Sequence, residues 1–277
     1  MISIKYYKFY YPEINRFPDG TFRVNMPEII TSDHSPIEIV WTYREEHDLT
    51  ILIYITENLK ENYNNPINLY MPYFPNARMD RIYNRKEVFT LKYFCKIINF
   101  LGFNKVTVLD AHSSVGVALL DRCENLSPEK YIMGAVKMSG IDRENDYIFF
   151  PDEGSCKRYS EIFKDFENIG FGIKKRDWSD GKIWGLDVFG ESPENKNVLI
   201  IDDICSFGGT VYYSAKKLKE LGCGDIYVYF THCEESIKRG ELLNIDLISH
   251  IYTTNSLFDI VPDSKMTVFD CYDEIYR

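Results

Sequence analysis

The 277-residue chain reads as an α/β protein built on mainly parallel sheets flanked by helices, in two related domains. Three stretches predict this. In Asn197 to Leu221, NVLIIDDICSFGGTVYYSAKKLKEL, four apolar residues run into Asp202-Asp203, then a loop with Gly208-Gly209-Thr210, then Val211, Ala215 and Leu218 at helical spacing. That is a strand, a tight loop and a helix. VTVLDAHSSVG repeats the pattern at Val106 to Gly116, with Asp110 at the strand end and His112 in the loop. The spacing of Asp110 and Asp202 far exceeds solenoid periods of about 20–50 residues, so two α/β domains are expected. Finally, the short strand Tyr147 to Phe150 ends in Pro151-Asp152-Glu153-Gly154, another acid-glycine loop.

The chemistry of the Asp202 unit follows from its residue types. Amides at a helix start hold an anion, and glycines let it approach closely. Carboxylates beside such a cradle suit a ligand with both hydroxyls and phosphate, with a cation between them. No GxxxxGK[ST] string is present, so this is not a P-loop. A buried strand followed by a carboxylate helix cap accounts equally well for strand-DD alone; DD followed by GGT favours the sugar-phosphate site.

Composition sets the bounds. Hydrophobic residues make up 45% and charged residues 27%, as in globular proteins. A formal charge of −10 argues against a general nucleic-acid binder. The seven cysteines show no CxxC pair, and no signal peptide is evident, so reduced thiols, a cytoplasmic setting and no structural zinc are expected. No apolar run reaches membrane-spanning length.

Taken in order, residues 1 to 30 predict two strands, ISIKYYKFYY and TFRVNM, joined through a turn at Phe17-Pro18-Asp19-Gly20. Asp48 to Ile55 and Asn68 to Phe74 read as buried strands. Arg78, Asp80, Arg81, Arg85 and Lys86 follow the second; a charge run is usually a solvated loop, but its place at a strand end favours an anion site. Thr90 to Leu101 reads as a helix closed by Gly102, and Lys105 to Asp110 as a strand. Ile169 to Ile173 is a strand leading to Lys174-Lys175-Arg176 and to a glycine-bearing loop, Asp177 to Gly181, expected to be mobile. Asp225 to Thr231, Ile248 to Thr253 and Met266 to Asp270 read as strands, and Ser236 to Leu243 as a helix.

YFPNARMDR, VLDAHSS, PDEGSCKR, IKKR and IIDDICSFGGT stand in the order and approximate spacing of the ribose-phosphate diphosphokinases, the phosphoribosyl pyrophosphate synthases, and FPDGTFRV resembles that family's FSDGE segment. The resemblance covers nearly the whole chain. It implies two tandem type I phosphoribosyltransferase-like domains: residues 1–130 for ATP and metal, 131–260 for the ribose phosphate, and 261–277 packing back on the amino-terminal domain. It implies transfer of the β,γ-diphosphoryl group of ATP to the anomeric hydroxyl of ribose 5-phosphate with Mg2+, in a homo-oligomer, a dimer or hexamer. His112 and Asp152 match magnesium ligands, and Lys174 and Arg176 the basic pair on the transferred phosphates. Arg78 and Asp80 match the nucleotide-binding RQD segment, and Phe17 and Asp19 a loop that reaches ATP from a neighbouring subunit. Asp202 and Asp203 match the ribose-hydroxyl carboxylates, and Gly208, Gly209 and Thr210 the 5-phosphate cradle.

The chain departs from that family where its pattern reads DDxxDTxGT: Ser206 and Phe207 replace the third acid and the threonine. Phe207 removes a hydroxyl donor and adds a flat apolar surface. Thr21 stands in place of the FSDGE glutamate and Met79 in place of the RQD glutamine. Three readings follow: a phosphoribosyl pyrophosphate synthase; the same chemistry on ADP-ribose, serving NAD synthesis; or a non-catalytic regulatory homologue, against which the retained His112, Asp152, Lys174 and Arg176 argue.

Overall fold

Alternation at the amino terminus produces four short strands, not two. β1 (Ile2–Tyr6) and β2 (Lys8–Tyr10) are separated at Tyr7, whose φ of 58° interrupts the strand. β3 (Glu13–Arg16) and β4 (Phe22–Asn25) form a hairpin across the Phe17–Gly20 turn, where the Gly20 amide donates to the Phe17 carbonyl at 2.9 Å. A computed structural model describes residues 1–176, 183–257 and 264–276, without the side chains of 174–176, 183, 184, 274 and 276. The chain divides into two compact units, Met1–Ser127 and Pro128–Arg277.

In the first unit β5 (Ile37–Trp41), α1 (Asp48–Asn62), β6 (Ile67–Tyr70), α2 (Thr90–Phe100), β7 (Lys105–Leu109), α3 (Ser114–Leu119) and β8 (Cys123–Leu126) alternate strand and helix. The sheet order is β2-β1-β5-β6-β7-β8, parallel from β5 to β8 and antiparallel at β1 and β2. Asp48 to Ile55, expected as a strand, is the start of α1. Ile51, Leu52, Ile55, Thr56 and Leu59 are buried while Tyr54 is half exposed, a spacing that fits one helical face and no strand. The strand of this region is β5, just upstream.

The second unit holds α4 (Glu129–Ser139), β9 (Tyr147–Phe150), α5 (Glu153–Tyr159), β10 (Ile169–Arg176), β11 (Ile183–Gly190), β12 (Val198–Cys205), α6 (Gly209–Glu220), β13 (Ile226–Cys233), β14 (His250–Thr254), β15 (Met266–Phe269) and α7 (Asp273–Tyr276). Its sheet runs β11-β10-β9-β12-β13-β14-β15, parallel from β10 to β15 with β11 antiparallel at the edge. β9 and the first half of β12 are fully buried, as continuous apolar runs in a parallel sheet require. From β9 the chain crosses to β10 on one side, and β12 lies on the other. This is a topological switch point, where open α/β sheets leave a crevice beyond the strand ends.

Two expectations are corrected here. Of the segment 261–277, expected on the first half, Met266–Phe269 instead form β15 of the second sheet beside β14, and Phe269 stacks on Tyr252 with ring centroids 6.3 Å apart. The helix expected from Ser236 to Leu243 is only a 3-10 turn, Glu235–Arg239, ended where the Gly240 backbone turns extended. The loop Asp177 to Gly181 lies outside the described residues.

The geometry of α1 is open to test. Leu52→Ala and Ile55→Ala should each cost about 2–5 kcal/mol and Tyr54→Ala about 0.5 kcal/mol or less, read from guanidinium unfolding. A strand would place residues 52 and 55 on opposite faces, so one cheap and one costly truncation of that pair would overturn the helix.

Candidate active site

β12 carries the candidate acceptor loop to the switch point. Its buried front half anchors Asp202 and Asp203 at the end that emerges from the sheet. Asp203 is buried, and its carboxylate pairs with the Arg158 guanidinium of α5. A buried carboxylate needs such a partner, since desolvation without one is costly. The pair also ties the helix after β9 to the end of β12. Asp202 is half-buried, and its Oδ1 accepts from the Asp203 amide at 3.1 Å.

Beyond Cys205 the chain turns into α6 through Ser206, Phe207 and Gly208. Gly208 sits at the helix N-cap with φ 80°, in the left-handed region, and a Cβ there would overlap Leu242. No side chain caps α6 at its N-cap, so its first amides have no hydroxyl or carboxylate there to satisfy them. A Cβ at Gly209 would meet nothing within 4 Å, which leaves its backbone open to close approach. Thr210 is half-buried in the first turn, its carbonyl accepting from Ser214 Oγ at 3.0 Å. Backbone amides at a helix start, open to close approach and set beside two carboxylates, have the chemistry to hold an anion.

Phe207 is 54% exposed, with the Arg239 guanidinium 5.3 Å from its ring centroid. Ser206 Oγ donates to Glu234 Oε2 at 2.5 Å. At the neighbouring strand end, Asp152 caps α5: its Oδ1 accepts from the Ser155 amide and from Ser155 Oγ, both at 3.0 Å. The carboxylate is therefore oriented by the helix it starts. Lys174 and Arg176 lie in β10 by their backbones; their side chains fall outside the description.

In the first unit the structure brings two motifs together. Asp80, in the loop after β6, pairs with Arg81 Nε at 2.9 Å. The Arg81 guanidinium holds the Asp80 carboxyl below the usual carboxylate range, and the Ser113 hydroxyl and His112 imidazole act in the same direction. Asp80 is thus a neighbour of the His112 loop. Asp110, just before it, adopts φ 46° and is buried, a turn conformation rare outside glycine, asparagine and aspartate. Gly116 packs against Phe74, where any side chain would clash. Arg78 is exposed.

Phe17 and Asp19 occupy the tip of the β3–β4 hairpin. Asp19 Oδ1 accepts from the Thr21 amide at 3.0 Å and from Thr21 Oγ1 at 2.7 Å, which lowers its pKa and closes the turn. Its carboxylate has a structural role there whatever else it touches.

Sequence reading missed Arg158, Glu234 and a cavity of about 260 Å³ in the first unit. Trp41, Tyr43, Tyr93 and Phe94 line that cavity beside Pro75 and Asn76, and Trp41 Nε1 and Thr90 Oγ1 are buried without a partner. PDEGSCKR did contain Arg158, but nothing in the string says which carboxylate it meets. Among the described residues no group of three or more His, Cys, Asp or Glu side chains gathers as a metal cage. A magnesium ion that arrives with phosphates needs only one or two protein carboxylates, and the donors here suit that mode.

No family model matches the chain. It is 27% identical over 256 residues to the ribose-phosphate pyrophosphokinase of Bacillus subtilis (strain 168), covering 88% of this chain and 76% of that protein. Ribose-phosphate pyrophosphokinase 2 of Enterococcus faecalis is 26% identical over 263 residues, covering 93% and 79%. The ribose-phosphate pyrophosphokinase of Pyrococcus furiosus is 26% identical over 260 residues, covering 91% and 90%. The crystal structure of phosphoribosylpyrophosphate synthetase from Mycobacterium smegmatis superposes with a TM-score of 0.79 at 18% identity, over 96% of this chain and 88% of that one, which establishes the shared fold. Relatives of one name match the chain over 88–93% of its length and five motifs stand in their order, so the chain is similar throughout to the ribose-phosphate pyrophosphokinases.

Proposed function

We propose that the chain transfers the β,γ-diphosphoryl group of ATP to the anomeric hydroxyl of a ribose 5-phosphate unit, giving a 1-pyrophosphate and AMP. The observation that carries this reading is the Asp202-Asp203 strand end at the switch point, running into the glycine-started helix α6. Asp202 and Asp203 would hold the ribose hydroxyls, and the amides from Gly208 to Thr210 the 5-phosphate. The anomeric oxygen attacks the β-phosphorus of ATP, the bond to the α-phosphate oxygen breaks, and AMP leaves. Such a transfer asks the protein for positioning and charge neutralisation. Lys174 and Arg176 are assigned to the charge on the moving group, and Arg78 and Asp80 to the nucleotide.

His112, beside Asp80, and Asp152, held by its cap, are each assigned as a candidate magnesium ligand. The ion, when bound, offsets phosphate charge. Phe17, at an exposed hairpin tip, fits a contact to a neighbouring subunit in a homo-oligomer. No helix among the described residues is long and apolar enough to cross a membrane.

The exposed Phe207 ring under Arg239 favours a second reading, with ADP-ribose as acceptor and a product that serves NAD synthesis. A flat base attached through the 5-phosphate gains a surface to stack on.

Incubation with ATP, magnesium and either ribose 5-phosphate or ADP-ribose should release AMP, and EDTA should abolish the release until magnesium is returned. No AMP with either acceptor removes both readings, and the larger kcat/KM chooses between them. Lys174→Ala should lower kcat about 10²–10³-fold in rapid-quench assays; an unchanged kcat would remove Lys174 from the chemistry. Gly209→Ala should leave the thermal midpoint in place, since its Cβ meets nothing, but raise the acceptor KM at least about tenfold by entering the anion's space. An unchanged KM would mean that the anion is held elsewhere.

A further inference from the structure

The segment after β13 forms one wall of the loop that starts α6. The Glu234 amide donates to the Cys205 carbonyl at 2.8 Å, Arg239 lies over the Phe207 ring, Gly240 abuts the Phe207 backbone and Leu242 fills the space beside Gly208. Glu234 itself is half-buried, and its Oε2 accepts from Ser206 Oγ at 2.5 Å and from Ser236 Oγ at 3.2 Å. Two hydroxyls thus fix a carboxylate against the first residue of an anion cradle. An ionised carboxylate only accepts hydrogen bonds, and Ser206 has one proton to give. That proton is directed at Glu234, so the Ser206 hydroxyl is turned to a carboxylate and away from a phosphate, and a negative charge stands behind it.

We propose that Glu234 is a specificity-determining residue of the acceptor site, selecting a 5-phosphate that carries one negative charge over one that carries two. A terminal phosphate monoester holds about −1.5 to −2 charges at pH 7, whereas an esterified phosphate holds one. Repulsion from a fixed, half-buried carboxylate grows with the ligand's charge and is screened less than at an open surface. The favoured acceptor class is therefore a ribose whose 5-phosphate is linked onward to another group. The exposed Phe207–Arg239 face of the same loop then offers that group a surface. This inference rests on the reading of the Asp202–Thr210 loop as the acceptor site.

Ribose 5-phosphate and its methyl phosphate ester isolate the variable, because they differ only in one methyl group and one charge. Calorimetric titration of each into the full-length protein should show tighter binding of the ester. Glu234→Gln keeps an oxygen for both hydroxyls and removes the charge. It should tighten ribose 5-phosphate about tenfold and leave the ester within about threefold. Raising salt should narrow the wild-type discrimination. Equal shifts for both probes, or none, would refute the role of Glu234 while leaving the acceptor site in place. If neither probe binds wild type or variant, the acceptor reading fails and this inference with it. Should Glu234→Gln unfold, the wild-type comparison decides alone: a preference for the monoester refutes the proposal.

Discussion

The second unit depends on one pairing, the Asp203 carboxylate with the Arg158 guanidinium. β12 must be apolar to fill the middle of a parallel sheet, yet its end carries two acids beside the switch-point crevice. Asp203 falls at the boundary and is buried, where an uncompensated charge is strongly destabilising. Arg158 answers it from α5, whose own start is set by Asp152 accepting from Ser155. The two strand ends that flank the switch point are thereby locked to each other by side chains, in addition to the sheet ladder between β9 and β12. A planar guanidinium suits this task because its donors are fixed in direction.

The loop that follows shows how such a site tolerates sequence change. Backbone amides do most of an anion cradle's work, and their placement rests on the φ of Gly208 and on Leu242 beneath it. Neither depends on the side chains at 206 and 207. Those positions are free to vary without loss of the helix start, and here they carry a hydroxyl turned to Glu234 and an exposed aromatic ring. Helix-start geometry and the chemistry of the loop's side chains are therefore carried by different atoms of one loop.

Much of this was legible in the sequence, for reasons that differ by element. β12, α6 and β7 are legible because long apolar runs end in acids and glycines, which local propensity reads well. α2 is legible from a face of Leu91, Phe94, Cys95 and Ile98, all buried. α1 was misread because DLTILIYI is apolar at nearly every position, and an eight-residue run of that kind does not distinguish strand from helix. Extending the window to Leu59 restores the helical period. Arg158 and Glu234 were not legible, since both depend on which strands lie side by side. Cys205 pairs with Cys233 in the β12–β13 register, and that register alone brings position 234 to position 206.

The two units share a strand-acid-loop-helix motif but resolve it differently, and the difference follows from backbone conformation. In the first, an aspartate, Asp110, takes the left-handed turn, and the helix that follows, α3, has six residues. In the second, the left-handed residue is a glycine at the helix N-cap, Gly208, and α6 has twelve residues. A helix of three turns aligns enough peptide dipoles to favour an anion at its start, whereas a turn and a half offers far less. The second loop, where a Cβ at Gly209 would meet nothing, has the more open backbone of the two. The first, with Asp80 and Arg81 beside His112, has side chains suited to a cation and a nucleotide instead. The same strand-acid-loop-helix pattern thus sets open backbone at the loop in one copy and charged side chains in the other.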